Sequence, residues 1–342
     1  MAAQLGTLYR NPLDVIRETG LIQLDGMSVV APSHRLAVLS RTGDFSNAQV
    51  DSAIWDTPEP QVFETYTHAA CLLPLDSWPL FREARRSAER HLKLVDDTIV
   101  SNLLGKIGES ASGLTIGELE DNSTKSNGWN WSEVKSVVQY LVWSGWLVTT
   151  RRKRGKRVFT LAESTLPSTM LNTALSRDEQ LRGFALKAAD CLAIVTASDL
   201  AYHYNLPYSD AQRALELSEL DSTRVEDWNE PAYLSSAVDQ LLGKSVEPRL
   251  IGPFDNLMRD RRRLERIFGI QYKFEAYVPA AKRLYGPYAM ALFTGSGCMG
   301  LVDLRRRGEN FERPRYFPNQ DVAATSFTHL ADEACSRLIG RF

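Results

Sequence analysis

The sequence predicts a mainly α protein with small β content, built from tandem winged helix-turn-helix domains and followed by a β-rich C-terminal unit. Three observations predict it. Residues 130–161 read as an amphipathic helix with both ends marked, then two short strands around a basic turn. Residues 178–228 repeat that grammar more weakly. From Ile270 to Leu304 the chain changes to aromatic and β-branched runs. Boundaries are expected at 1–85, 86–165, 166–250 and 251–342.

The elements follow from local signals. Asn11-Pro12 caps and starts a helix that Gly20 ends, and Ser33 is placed to cap another running to Arg41 before Gly43. A third winged helix fits in this region. A helix over 91–107 leads to Thr115 with Glu118, a capping box for a short helix, and then to a polar turn over Asn122–Gly128. Asn130 with Glu133 starts the next helix, whose Val134, Val137, Val138, Leu141 and Val142 form one apolar face until Gly145 stops it. Trp146–Val148 and Val158–Leu161 then read as paired strands around Arg151, Arg152, Lys153, Arg154, Gly155, Lys156 and Arg157, six cations in seven residues. In the weaker copy, a helix carrying Leu181, Phe184, Leu186 and Leu192 leads to a Thr196/Asp199 box. An Asn205-Leu206-Pro207 turn follows, then a helix capped by Ser209 with Gln212 and ending near Leu220. The wing of this copy, Thr223–Tyr233, is acidic. Near the C-terminus, Tyr272–Val278, Tyr288–Thr294 and Met299–Leu304 read as strands, with Gly295-Ser296-Gly297 turning between the last two.

Composition narrows the function classes. The 342 residues are 44% hydrophobic, enough for ordinary cores. The formal charge is −2, so any affinity for nucleic acid must come from local patches. Cys71, Cys191, Cys298 and Cys335 lie far apart with no CxxC pair, which disfavours a zinc or iron–sulfur site, and no metal or cofactor is expected. Arg10, Asp14, Arg17 and Glu18 stand where a signal peptide needs an apolar core, and no run approaches a membrane span, so a soluble, reduced, cytoplasmic protein is expected. The absence of a P-loop, a GxGxxG turn, a GxSxG elbow and an HExxH pair disfavours the usual ATPases, dehydrogenases, esterases and zinc hydrolases.

The candidate chemistry has two readings at each place. Gly20–Gly26 is short and bounded by glycines; if extended, Ile22 and Leu24 share one face and Gln23 and Asp25 the other, with Cα atoms about 6.5–7 Å apart. The bland reading makes Asp25-Gly26 an ordinary turn and Gln23 an exposed neighbour. His34-Arg35 and His68 are either contacts to phosphate or a base, or satisfied structural groups. The run Arg259–Arg266, on a helix capped by Asp255 and ended by Gly269, offers Arg261 and Arg262 either to DNA or to a solvated, salt-bridged face. The wing cations contact a polyanion or merely solubilise a turn. A recognition helix with a basic wing favours nucleic acid.

Three separated segments resemble one family. Residues 20–43 (GLIQLDGMSVVAPSHRLAVLSRTG), 64–82 (ETYTHAACLLPLDSWPLFR) and 251–290 (IGPFDNLMRDRRRLERIFGIQYKFEAYVPAAKRLYGPYAM) look like the bacterial AlkZ/YcaQ family of winged-helix DNA glycosylases in order, spacing and wording. The resemblance implies excision of N-alkylated purines, including bases tethered in interstrand crosslinks, from double-stranded DNA. It places the catalytic motif (glutamine, an aliphatic residue, then glutamine or aspartate) at Gln23-Leu24-Asp25, the aspartate version. It further implies DNA or substrate contact by Ser33, His34, Arg35, His68, Lys282 and Arg283. No lysine belongs to the motif, so monofunctional hydrolysis without a Schiff base is expected. A monomer acting at the nucleoid is the expected state. The competing reading is a non-enzymatic winged-helix transcription regulator.

Overall fold

The structure, a computed structural model, describes residues 2–43, 45–120, 133–153 and 155–342. The predicted Asn122–Gly128 turn, the Asn130 cap and Arg154 of the wing lie outside the described residues. The fold is mixed α and β, 45% helical and 18% strand, so the strand content exceeds the expected mainly α composition. Two compact units are formed, one by residues 1–50 with 181–342, the other by residues 51–180.

In the first unit, Asn11 Oδ1 accepts the Leu13 N–H at 3.0 Å and Pro12 opens the helix Pro12–Thr19, as the sequence predicts. Gly20 ends it at φ 72°, and a Cβ there would stand 2.5 Å from the Cys191 sulfur, so conformation and packing both require glycine. The strand Ile22–Gln23 and an irregular segment lead to the helix Ser33–Leu39. Two expectations fail here. Ser33 is the first helical residue behind Pro32 rather than the cap, because its hydroxyl is engaged elsewhere, and the helix stops at Leu39 rather than Arg41. Arg41, fully buried, turns inward to Asp255 with paired bonds of 2.7 and 2.8 Å.

Farther along the same unit, the helix Arg177–Leu192 enters at its N-terminal end and is followed by Ile194–Val195, the helices Ala197–Tyr204 and Tyr208–Leu217, and strands Ser222–Thr223 and Ala232–Leu234. The last strand lies between the other two. The Thr196/Asp199 capping box is present, with 3.1 and 3.2 Å bonds in its two directions. Ser209 does not cap; Pro207 holds the cap position and its fixed φ starts the helix. A four-stranded antiparallel sheet follows, ordered Arg249–Ile251, Met290–Thr294, Gly297–Asp303, Arg315–Pro318, and the helix Ala324–Ile339 packs on it. Tyr272–Val278 is not a strand. Tyr272 is tied by its hydroxyl to the Ala289 carbonyl at 2.8 Å, and the residues after it form a loop, so no ladder is available to them. Ile251, Met258, Ala291 and Phe293 fill the core beneath.

In the second unit, the hairpin Val62–Tyr66/Ala70–Pro74 precedes two helices, Arg82–Leu92 and Asp97–Gly108. The single helix expected over 91–107 is therefore wrong at its start: Asp96 accepts the Thr98 N–H at 2.8 Å and begins a new helix. The Thr115/Glu118 box opens Ile116–Leu119 as predicted. Helix Glu133–Trp143 buries Val137, Val138, Leu141 and Val142 against Leu103, Ile107 and Phe159, each buried side chain contributing about 1.5–3 kcal/mol. Beyond Gly145, at φ 80°, the strands run longer than expected, Leu147–Lys153 and Lys156–Leu161, with Leu114–Thr115 pairing on the far side. Among the described residues of the basic run, Arg151–Lys153 and Lys156–Arg157 are thus strand, and only Gly155 is turn. Extended pairing places Arg152 opposite Arg157 and Lys153 opposite Lys156, an arrangement that needs anions nearby.

Candidate active site

The segment carrying Gln23 and Asp25 is shaped by one hydroxyl. Ser33 Oγ donates to the Gln23 carbonyl at 2.6 Å and accepts the Asp25 N–H at 2.8 Å, so the first turn of the following helix clamps the backbone of both residues. Asn256 holds the entry to the segment, its side-chain N–H groups donating to the Thr19 and Leu21 carbonyls at 2.8 and 2.9 Å. Val29 accepts the Arg306 N–H at 3.0 Å on the exit side. Asp25 Oδ1 accepts the Met27 N–H at 2.8 Å, the two-residue turn of the bland reading. That turn leaves the carboxylate oriented, since the backbone N–H fixes one of its oxygens. The expected alternation ends early, since only Ile22–Gln23 is strand and Leu24 is half-buried like Gln23 and Asp25.

Tyr288 lies near enough to Asp25 to feel its charge. Its ring is buried at 0% exposure, edge-on to Phe254 and Phe274 at 5.8 and 6.1 Å, and its hydroxyl has no hydrogen-bond partner. Burial pushes the phenol pKa upward, and the nearby Asp25 charge adds to that. Gly252 lies beside the hydroxyl, where a Cβ would stand in ordinary contact at 3.7 Å.

The other candidates separate. His34 is buried and Arg35 half-buried on the helix that carries Ser33. His68 belongs to the second unit, in the turn of the Val62–Pro74 hairpin, with Nδ1 3.1 Å from the Thr67 hydroxyl. The wing cations are largely engaged within that unit. Arg151 donates to the Ser112 carbonyl at 2.7 Å, Arg152 lies 4.0 Å over the Trp55 ring, and Lys153 pairs with Glu118 at 2.7 Å. Arg157 bridges Glu64 and Gln139, both at 2.8 Å. Lys156 is exposed.

The arginine run is also mostly internal. Its helix is Arg261–Phe268, ended by Gly269 as expected but capped by Asp260, whose side chain accepts the Arg263 N–H at 3.1 Å. Asp255 does not cap it because the helix begins six residues farther on; its carboxylate pairs with Arg41 and accepts the Leu257 N–H at 3.1 Å. Arg259 reaches His203 Nδ1 at 2.8 Å, and Arg261 lies 4.3 Å over the Tyr272 ring. Arg263 and Arg266 converge on Asp199, the latter at 2.6 Å. Arg262 faces solvent. Lys282 is exposed, while Arg283 donates within its own loop to the Val278 and Ala276 carbonyls at 2.7 and 3.2 Å. Among the described residues, no group of three or more His, Cys, Asp or Glu side chains is placed to hold a metal ion. No helix among them is long and apolar enough to cross a membrane.

Residues 16–335 match the family model "DNA glycosylase AlkZ-like". The chain belongs to the AlkZ-like DNA glycosylase family. Its activity is accordingly that of a DNA glycosylase, and DNA is its substrate. The Streptomyces sahachiroi DNA glycosylase AlkZ has a similar fold, with a TM-score of 0.64 over 98% of this chain and 92% of that one, at 16% identity. The Gln23–Asp25 segment falls inside the matched residues, as do Asn256 and Tyr288. Sequence reasoning missed the roles of Asn256 and Tyr288, although both stand in the segment 251–290 that carries the family resemblance.

Proposed function

We propose that this glycosylase hydrolyses the N-glycosidic bond of N7-alkylated purines, including purines tethered in interstrand crosslinks, with Asp25 and Gln23 as its catalytic residues. The observation that carries the proposal is the clamp by Ser33, which fixes Gln23 and Asp25 together while Met27 N–H holds one oxygen of the Asp25 carboxylate.

The chemistry asks little more of the protein. An alkyl group on N7 makes the purine cationic, so the C1′–N9 bond can break with its electron pair going to N9 and the base leaving neutral. Asp25, its carboxylate oriented by the Met27 N–H, stabilises the positive charge that develops at C1′ and takes the proton of the attacking water. The Gln23 amide both donates and accepts, and can orient that water or the sugar. The water oxygen bonds to C1′, leaving an abasic site without a covalent enzyme intermediate. The partial exposure of Gln23 and Asp25, with Gly26 exposed, supports action on a base that remains tethered to the opposite strand.

The same reading makes 86–165 and 166–250 tandem winged helices, with a third at 1–85 and the remainder, 251–342, as the β-rich unit. Support comes from the repeated order of helix, short strand, two helices and two strands over Asp97–Leu161 and Arg177–Leu234, the last strand central each time. The partner is double-stranded DNA carrying such lesions, bound by a monomer at the nucleoid.

Asp25→Asn tests the chemistry. With duplexes carrying N7-methylguanine or a nitrogen-mustard crosslink, it should bind like the wild type and lose single-turnover excision by about 10²-fold or more, the scale of a lost general base. Undiminished excision would remove Asp25 from the mechanism.

A further inference from the structure

The loop over residues 275–286 holds two large apolar side chains out in solvent, Tyr277 at 86% and Leu284 at 71% exposure. The loop carrying them is firmly built. Glu275, only 3% exposed, accepts the N–H groups of Leu284, Tyr285 and Gly286 at 3.0, 2.9 and 3.1 Å. Burial alone would raise its pKa, but these three bonds and nearby Lys273 outweigh burial and lower it, so the carboxylate stays charged. Arg283 ties the outgoing strand of the loop to the Ala276 and Val278 carbonyls, and Pro279 starts the short 3-10 turn Ala280–Lys282 between them. A buried acid and a half-buried arginine thus fix a loop that holds Tyr277 and Leu284 outward.

The loop is continuous with the proposed site. The Tyr277 ring is edge-on to Phe274 at 6.1 Å, Phe274 is edge-on to Tyr288 at 6.1 Å, and the Tyr288 phenol is near enough to Asp25 to feel its charge. Lys273, just before the loop, and Lys282, within it, are exposed. A partner that suits this surface presents flat apolar faces between regularly spaced anions. Unstacked DNA bases between phosphates meet that description, and both aromatic and aliphatic side chains serve as wedges or stacking platforms in duplexes.

We propose that Tyr277 and Leu284 form a wedge that enters the base stack beside the lesion, Tyr277 stacking on an exposed base face and Leu284 filling the opened step, while Lys273 and Lys282 meet the adjoining phosphates. The proposal rests on the reading that Asp25 is where the glycosidic bond is broken. The wedge gives that carboxylate access to C1′ without drawing the base into an enclosed pocket.

The test uses the full chain and a duplex with 2-aminopurine beside a 2′-fluoro N7-methylguanine, whose glycosidic bond resists cleavage. Binding of wild type or Asp25→Asn should raise the fluorescence as the probe unstacks. Tyr277→Ala and Leu284→Ala should remove most of that rise and slow single-turnover excision of the cleavable lesion by about tenfold or more, the scale of a lost base–aromatic stack. Tyr277→Phe should retain both signals, and melting temperatures should not move, because the side chains are exposed. Full fluorescence and full excision in the Tyr277→Ala, Leu284→Ala double variant overturn the wedge. Loss of affinity for a protein partner, with the DNA signals intact, overturns it in favour of a protein interface. Undiminished excision by Asp25→Asn, with the fluorescence still dependent on Tyr277, sinks the assignment of Asp25 and leaves the wedge standing.

Discussion

The Tyr288 hydroxyl is a polar group buried without a partner, and a group in that state costs free energy in the folded protein. Its ring packs on Phe254 and Phe274, and that packing needs no hydroxyl. Removing the oxygen while keeping the ring should therefore be neutral or stabilising, by up to about 1 kcal/mol. Urea unfolding of Tyr288→Phe checks this through the transition midpoint at constant slope. A loss of stability beyond about 1 kcal/mol would show that the hydroxyl had a partner in the free protein. Ser33 is the opposite case. Its hydroxyl is saturated, donating to Gln23 and accepting from Asp25 across eight to ten residues of sequence, which is why it leaves the helix cap it was expected to form. Pro32 supplies the geometry for the helix start, so the serine is released for the clamp.

At the scale of elements, short-range signals read correctly and long-range partners did not. The Asn11-Pro12 start, the Gly20 stop and the Thr115/Glu118 and Thr196/Asp199 boxes depend on residues at most three apart within one element, and each forms. Sequence signals give Asp255 a local capping role because nothing nearby announces Arg41, 214 positions away. The cation runs were read as surfaces for the same reason. Glu118, Glu64 and Asp199 claim much of their charge from other elements. The proposed catalytic pair is legible only through the resemblance of its segment, while Tyr288 and the Glu275 loop need the fold. Asp199 carries the largest consequence: it is 2% exposed, closes the capping box, and joins Arg263 and Arg266 of the helix Arg261–Phe268 to the helix Ala197–Tyr204. Asp199→Asn keeps the shape and removes the charge, leaving two arginines uncompensated. The expected cost is about 3–5 kcal/mol, read from the urea midpoint, and a loss under about 1 kcal/mol would mean the pair is effectively solvated.

For the molecule as a whole, the response to acid follows from carboxylates that folding holds below their ordinary pKa. Glu118, in the second unit, is lowered to about 2, first by Lys153 and then by the Thr115 backbone and hydroxyl. Asp96 and Glu179 are lowered by N–H and hydroxyl donors at helix starts. Glu275, in the first unit, is lowered despite burial by its three backbone donors. A depressed folded pKa means that the native state holds its charge while the unfolded chain takes up a proton. The stabilisation is therefore complete above the unfolded value near 4.5 and disappears as the pH falls through the folded values toward about 2. The groups differ in exposure. Glu118, Asp96 and Glu179 meet water and should contribute little once salt screens them, whereas Glu275 is shielded. Urea unfolding at pH 6 and pH 3.5, in low and high salt, should thus show an acid loss that salt reduces only in part. Glu275→Gln should start less stable at pH 6, by about 2 kcal/mol for weakened bonds to a formerly charged acceptor, and should lose less between the two pH values. An acid loss of the same size in Glu275→Gln and wild type would place the titrating groups elsewhere, and would remove Glu275 as the group that keeps its loop ordered.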